Sequence, residues 1–136
     1  MVEIINKTHY RLPRPEIKIT LARTLKYLSI KSADVSVVFV SPNQIKKLNA
    51  QYRKKNQPTD VLSFAYQSDK NNLDGEIIIC YSIAQRNAKE FKHSTASEIK
   101  KLLVHSLLHL VGYNHKASKS AKQMEKLETE ILDYII

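Results

Sequence analysis

The sequence has one cysteine, no tryptophan, two glycines and four prolines in 136 residues. A lone thiol, Cys80, forms no internal disulfide, which suits a reducing cytoplasm. It ends the apolar run Ile77-Ile78-Ile79, so it is expected to be a buried small hydrophobe rather than a nucleophile. So few glycines and prolines exclude collagen-like and linker-rich chains. No apolar run approaches the ~18 residues of a spanning helix, so no membrane insertion is expected. Met1-Val2-Glu3-Ile4-Ile5 lacks the basic stretch and apolar segment of a secretion signal, which also predicts a cytoplasmic protein. Acidic residues are scarce too: 13 stand against 22 Lys and Arg, a formal net charge of +9. Such a balance suggests a polyanionic partner, nucleic acid or an anionic surface.

With 43% apolar and 26% charged residues the composition is that of a folded protein. The length suits one domain over residues 1–136, able to bury roughly two-thirds of its unfolded surface. Val2 to Asn6 reads as a short strand. From Pro15 to about Leu28, the residues Ile17, Leu21, Leu25 and Leu28 recur at helical spacing. Asp34 to Val40 reads as a strand. Ser41 and Gln44 around Pro42 form a capping box that opens a helix to about Tyr52. A basic loop follows, Arg53 to Gln57, then a strand from Val61 to Tyr66. Gln67 to Asp74 reads as a turn-rich connection ending at Gly75. Glu76 to Tyr81 is nearly all apolar, which predicts a central strand, and Ser82 to Phe91 a helix. Thr95 and Glu98 predict a second capping box. The helix they open, to about Val111, is apolar nearly all round and should be buried in the middle of the fold. Gly112 suits its left-handed stop. A last helix, Ser118 to Tyr134, carries Met124, Leu127, Ile131 and Ile135 as its core stripe. The expected fold is a single α+β domain: a small mixed sheet packed against several helices, with a buried central helix.

That central helix carries the chemistry. Three of the five histidines, His105, His109 and His115, lie within eleven residues. His105 and His109 are four apart, so they differ by only ~40° around the helix and share a face. A chain reversal at Gly112 can return His115 to that face. Three neutral imidazoles with an open fourth position describe a catalytic zinc site, one Zn2+ per chain, although other divalent metals suit imidazole. A single histidine in a buried helix is ordinarily a hydrogen-bonded core residue. Two on an apolar helix must have their nitrogens satisfied, and one metal does so. His9 and His93 lack such neighbours and read as surface residues. The spacing His-x3-His-x5-His matches metzincin proteases. Their general base, the residue after the first histidine, is here Ser106, which disfavours that chemistry.

The segment His105-Ser106-Leu107-Leu108-His109-Leu110-Val111-Gly112-Tyr113-Asn114-His115 resembles the signature of the YbeY family of bacterial endoribonucleases. Two further blocks agree in family order: Leu48-Asn49 and Tyr52-Arg53 with Pro58-Thr59-Asp60-Val61-Leu62-Ser63-Phe64, and Gly75-Glu76-Ile77-Ile78-Ile79-Cys80. Ser106 replaces the usual Gly and Asn114 the usual Asp. Serine is small enough to preserve close packing. Asparagine brings no negative charge to the metal shell.

The resemblance implies a zinc-dependent, single-strand-specific endoribonuclease acting in 16S rRNA 3′-end maturation and ribosome quality control. It also implies rRNA or the small ribosomal subunit as partner, with ribosomal proteins or processing factors. The family's arginine maps to Arg53, whose guanidinium can clamp a phosphate with two hydrogen bonds. Lys46, Lys47, Lys54 and Lys55 surround it in sequence and are candidate RNA contacts. Thr59 and Ser63 are expected chiefly to fix the turn and strand, and Tyr52 and Tyr113 to be core or rim residues. Two other readings use the same residues: a non-catalytic small-subunit assembly factor with a metal site, and a metal-dependent hydrolase of another substrate.

Overall fold

The computed structural model describes residues 1–69, 71–113 and 117–135. Among the described residues four strands and five helices follow in the order β1 (Val2–Asn6), α1 (Arg14–Tyr27), β2 (Ser32–Val40), α2 (Pro42–Arg53), β3 (Val61–Ser68), β4 (Asn72–Cys80), α3 (Tyr81–Glu90), α4 (Thr95–Leu110) and α5 (Ser118–Ile135). The strands form one mixed sheet in the order β1-β2-β4-β3. The first three in that order run parallel, and β3 is antiparallel to β4. Helix α1 makes the crossover that the parallel β1–β2 pair requires. β4 lies inside the sheet, as its apolar run predicts. The fold is the expected α+β domain.

Alternation along the strands gives the sheet two apolar faces. Val35, Val37, Phe39, Ile77 and Ile79 meet Ile17, Leu21 and Leu25 of α1 and Ile99, Leu103 and Leu107 of α4. Val38, Val40, Ile78 and Cys80 face the other way and meet Ile45 of α2. Cys80 is fully buried, as a small hydrophobe should be. The far side of α4 is covered in turn by α5, where Val104 and Leu108 pack with Met124, Ile131 and Ile135. Sandwiched between sheet and helix, α4 is apolar nearly all round for a physical reason. Among the described residues no helix is long and apolar enough to cross a membrane.

The Ser41 capping box is present in full: Gln44 N donates to Ser41 Oγ at 3.2 Å, and Ser41 N to Gln44 Oε1 at 3.1 Å. The second box is displaced. Ser94, not Thr95, caps α4, its Oγ accepting from Ser97 N at 3.0 Å. Glu98 is drawn instead to His93, whose Nε2 donates to its Oε1 at 2.7 Å. His93 is exposed as expected but is tied to a buried carboxylate. The connection expected over Gln67 to Asp74 is mostly ladder. Gln67 pairs with Asp74 and Ser68 with Leu73, past an irregularity between Ala65 and Gln67. Polar side chains hide this overhang from periodicity. Asp69 Oδ1 accepts from the backbone of Asn71 and Asn72 at 2.9 Å each, and these bonds hold its carboxyl below the ordinary value of 3.8. Tyr81 opens α3 rather than ending the strand, and stacks on Tyr10 with ring centroids 4.4 Å apart.

Gly75 is crowded by both the neighbouring strand and α4. A Cβ there would lie 2.9 Å from the Phe64 carbonyl oxygen and 3.1 Å from Leu110 Cδ1. Backbone cannot yield as a side-chain tip can. Gly75→Ala should therefore cost about 1–3 kcal/mol in denaturant unfolding. Unchanged stability would show that the helix is free to lift off the strand at this point.

Candidate active site

Helix α4 leaves one stripe that neither the sheet nor α5 fully covers, and it carries His105 and His109. Both are half-buried. Their Nε2 atoms lie 3.0 Å apart, with the rings edge to face at 4.6 Å between centroids. Two nitrogens on a tetrahedral zinc with bonds of 2.0–2.1 Å stand about 3.3 Å apart. The side chains thus already point at a common centre. His105 Nδ1 lies 3.2 Å from Glu128 Oε2 on α5. A carboxylate can only accept, so Nδ1 is the donor here, and Nε2 is the ring nitrogen that faces His109.

The helix ends as the sequence predicts. Gly112 has φ +107°, its N–H reaches His109 O at 3.0 Å, and Tyr113 N reaches Leu108 O at 3.0 Å. These two bonds form a Schellman stop that reverses the chain directly after His109. The third expected ligand, His115, lies outside the described residues, as does Asn114. Among the described residues no group of three or more His, Cys, Asp or Glu is arranged to hold an ion. The residues present fit a metal in donor type, spacing and orientation.

A cleft of about 370 Å³ opens beside His105, with Asp60, Val61, Asn87, Phe91, Lys101 and Glu128 in its walls. Asn87 Nδ2 lies 3.4 Å from Asp60 Oδ2, and the Lys101 ammonium stands 5.6 Å over the exposed Phe91 ring. Ser106 is absent from this cleft. It is 1% exposed, and its Oγ has no hydrogen-bond partner among the described residues. A serine sealed into the helix packing is no general base toward the cleft, which agrees with the argument against metzincin chemistry.

Arg53 is the last residue of α2 rather than the first of a loop. Lys54 turns the chain with φ 56° and donates its N–H to Asn49 O. The exposed Arg53 guanidinium donates from Nη2 to Ser63 O at 2.8 Å and lies 5.4 Å from the centre of the Phe64 ring. Tyr52 packs edge-on against the same ring at 5.3 Å and is otherwise at the rim, as is Tyr113. Strand β3 thus borders both Arg53 and the histidine cleft, since Val61, two residues before Ser63, walls that cleft. Thr59 Oγ1 lies 3.4 Å from Asp60 Oδ1, a turn contact as expected. Lys46 and Lys47 line an open groove on α2 with Asn43, Gln51 and Asn56, and Lys54 and Lys55 are exposed.

Sequence reasoning did not single out Glu128. A signal was present. Glu128 stands four residues after Met124 and three before Ile131, inside the stripe that docks on α4.

The family model for Endoribonuclease YbeY matches residues 4–135. An Endoribonuclease YbeY from Aquifex aeolicus is 37% identical over 111 residues, 79% of this chain and 74% of the relative. One from Finegoldia magna is 47% identical over 94 residues, 67% of this chain and 61% of the relative. One from Alteromonas mediterranea is 34% identical over 125 residues, 89% and 79% of the two chains. The solution structure of a Thermotoga maritima protein superposes with a TM-score of 0.68 at 26% identity, covering 99% of this chain and 89% of that one.

The orphaned Ser106 hydroxyl yields a test. Burying it without a partner costs free energy that alanine avoids, so Ser106→Ala should stabilise the fold by about 1 kcal/mol. Denaturant unfolding measures this, and a loss of stability would mean that the hydroxyl has a partner in solution.

Proposed function

The chain belongs to the Endoribonuclease YbeY family, and we propose that it is a zinc-dependent endoribonuclease that cuts single-stranded RNA in 16S rRNA 3′-end maturation and ribosome quality control. The carrying observation is the pair of α4 imidazoles whose Nε2 atoms converge at 3.0 Å beside a cleft walled by the strand that anchors Arg53. His105, His109 and His115 would hold the metal. Bound there, zinc supplies an acidified water and positive charge for the developing phosphate oxyanion.

The remaining roles belong to the chain itself. Arg53 binds and orients the scissile phosphate and offsets its transition-state charge. Its hydrogen bond to Ser63 O and its stacking on Phe64 fix the guanidinium plane before RNA arrives, leaving its other donors for phosphate oxygens. Lys46, Lys47, Lys54 and Lys55 extend positive charge from Arg53 along α2 and its C-terminus, suited to the backbone of a single strand. The net charge of +9 supports the same reading, with the small ribosomal subunit and its processing factors as partners in the cytoplasm.

The test is cleavage of a labelled single-stranded RNA by the zinc-loaded protein. Arg53→Ala should lower the cleavage rate by 100-fold or more, on the order expected for losing a charged oxyanion donor. Its metal content should stay unchanged. Full cleavage by this variant would remove Arg53 from the mechanism.

A further inference from the structure

We propose that Glu128 is a positioning residue for the metal site: its carboxylate holds His105 in the Nδ1–H tautomer and aims the Nε2 lone pair at the metal position. The proposal rests on the zinc reading above. The histidine segment, residues 105–115, contains no acidic residue. A carboxylate beside its imidazoles must come from elsewhere in the fold, and α5 supplies one.

Three observations support this. The 3.2 Å contact joins Glu128 Oε2 to Nδ1 of His105, the ring nitrogen turned away from His109. The contact is sheltered, since the Glu128 side chain is 13% exposed. A carboxylate so placed is costly to desolvate unless it accepts a strong hydrogen bond, and the imidazole N–H provides one. Glu128 is also held from both sides along its own helix. Met124, one turn before it, and Ile131, three residues after it, are fully buried against α4. The backbone of Glu128 is therefore fixed over α4 by the docking of α5. Partners of this kind fix ring orientation and tautomer and raise ligand basicity, and their loss typically lowers metal affinity about 10- to 100-fold. The docking of α5 on α4 thus becomes part of the metal site, although α5 contributes no ligand.

The experiment compares wild type with Glu128→Gln and Glu128→Leu. Gln keeps the shape and an acceptor oxygen without the charge. Leu keeps the bulk and removes the acceptor. Zn2+ affinity is measured by competition with a chromophoric chelator. The tautomer of His105 is read from imidazole 15N shifts in the metal-free protein. We expect wild-type His105 to carry its proton on Nδ1. Zinc affinity should fall about 10-fold in Glu128→Gln and about 100-fold in Glu128→Leu. The Leu variant should also lose the Nδ1–H preference, and the Gln variant should keep its thermal midpoint. Equal affinity in all three proteins, or an Nε2–H tautomer in wild type, would overturn the proposal. Failure of wild type to bind zinc at all would sink the metal reading instead. The tautomer measurement would still decide whether Glu128 sets the ring.

Discussion

Everything in this structure depends on how α4 is enclosed. The sheet takes one side of the helix through Ile99, Leu103 and Leu107, and α5 takes the other through Val104 and Leu108. Each buried leucine contributes roughly 1.5–3 kcal/mol relative to exposure, so the helix has little freedom to rotate or slide. His105 and His109 lie on a stripe of α4 that is only half-buried. The packing of α4 therefore fixes the backbone that carries their imidazoles. That is the condition under which a metal site can be tight and geometrically fixed. The same enclosure bears on Gly75, where Leu110 of α4 and the Phe64 carbonyl leave no room for a Cβ.

A second constraint lies on β3. The strand places Ser63 O under the Arg53 guanidinium and Val61 in the wall of the cleft beside His105. On the proposed function, a phosphate-binding Arg53 and a metal-binding histidine pair would both border this one strand. Phosphodiester cleavage needs this combination: one group that fixes the phosphate, and another that activates water and takes up charge on oxygen.

Much of this was legible in the sequence because local signals agreed with global packing. The all-round apolar pattern of α4 gave its central position away, Gly112 its stop, and the Ser41 box the start of α2. The four-residue spacing of His105 and His109 placed them on one face. What escaped had a physical cause in each case. Ser94 and Thr95 are both competent caps, and Glu98, the residue that would complete a box with Thr95, is bonded to His93 instead. The ladder beyond Tyr66 is made of polar residues, so alternation does not reveal it. Glu128 lies 23 residues from His105, and only the docking of α5 brings the two together. Its one local trace, a charge inside an apolar stripe, gains meaning once the neighbouring helix is known.

The measurement that bears most directly on this account is the zinc content of untagged protein, taken by elemental analysis beside His109→Ala. The account predicts about one zinc per wild-type chain and its loss in the variant, with helical content retained. Wild-type protein that takes up no zinc even when the ion is supplied would contradict it. The convergent imidazoles of α4 would then be a hydrogen-bonded pair rather than a metal centre.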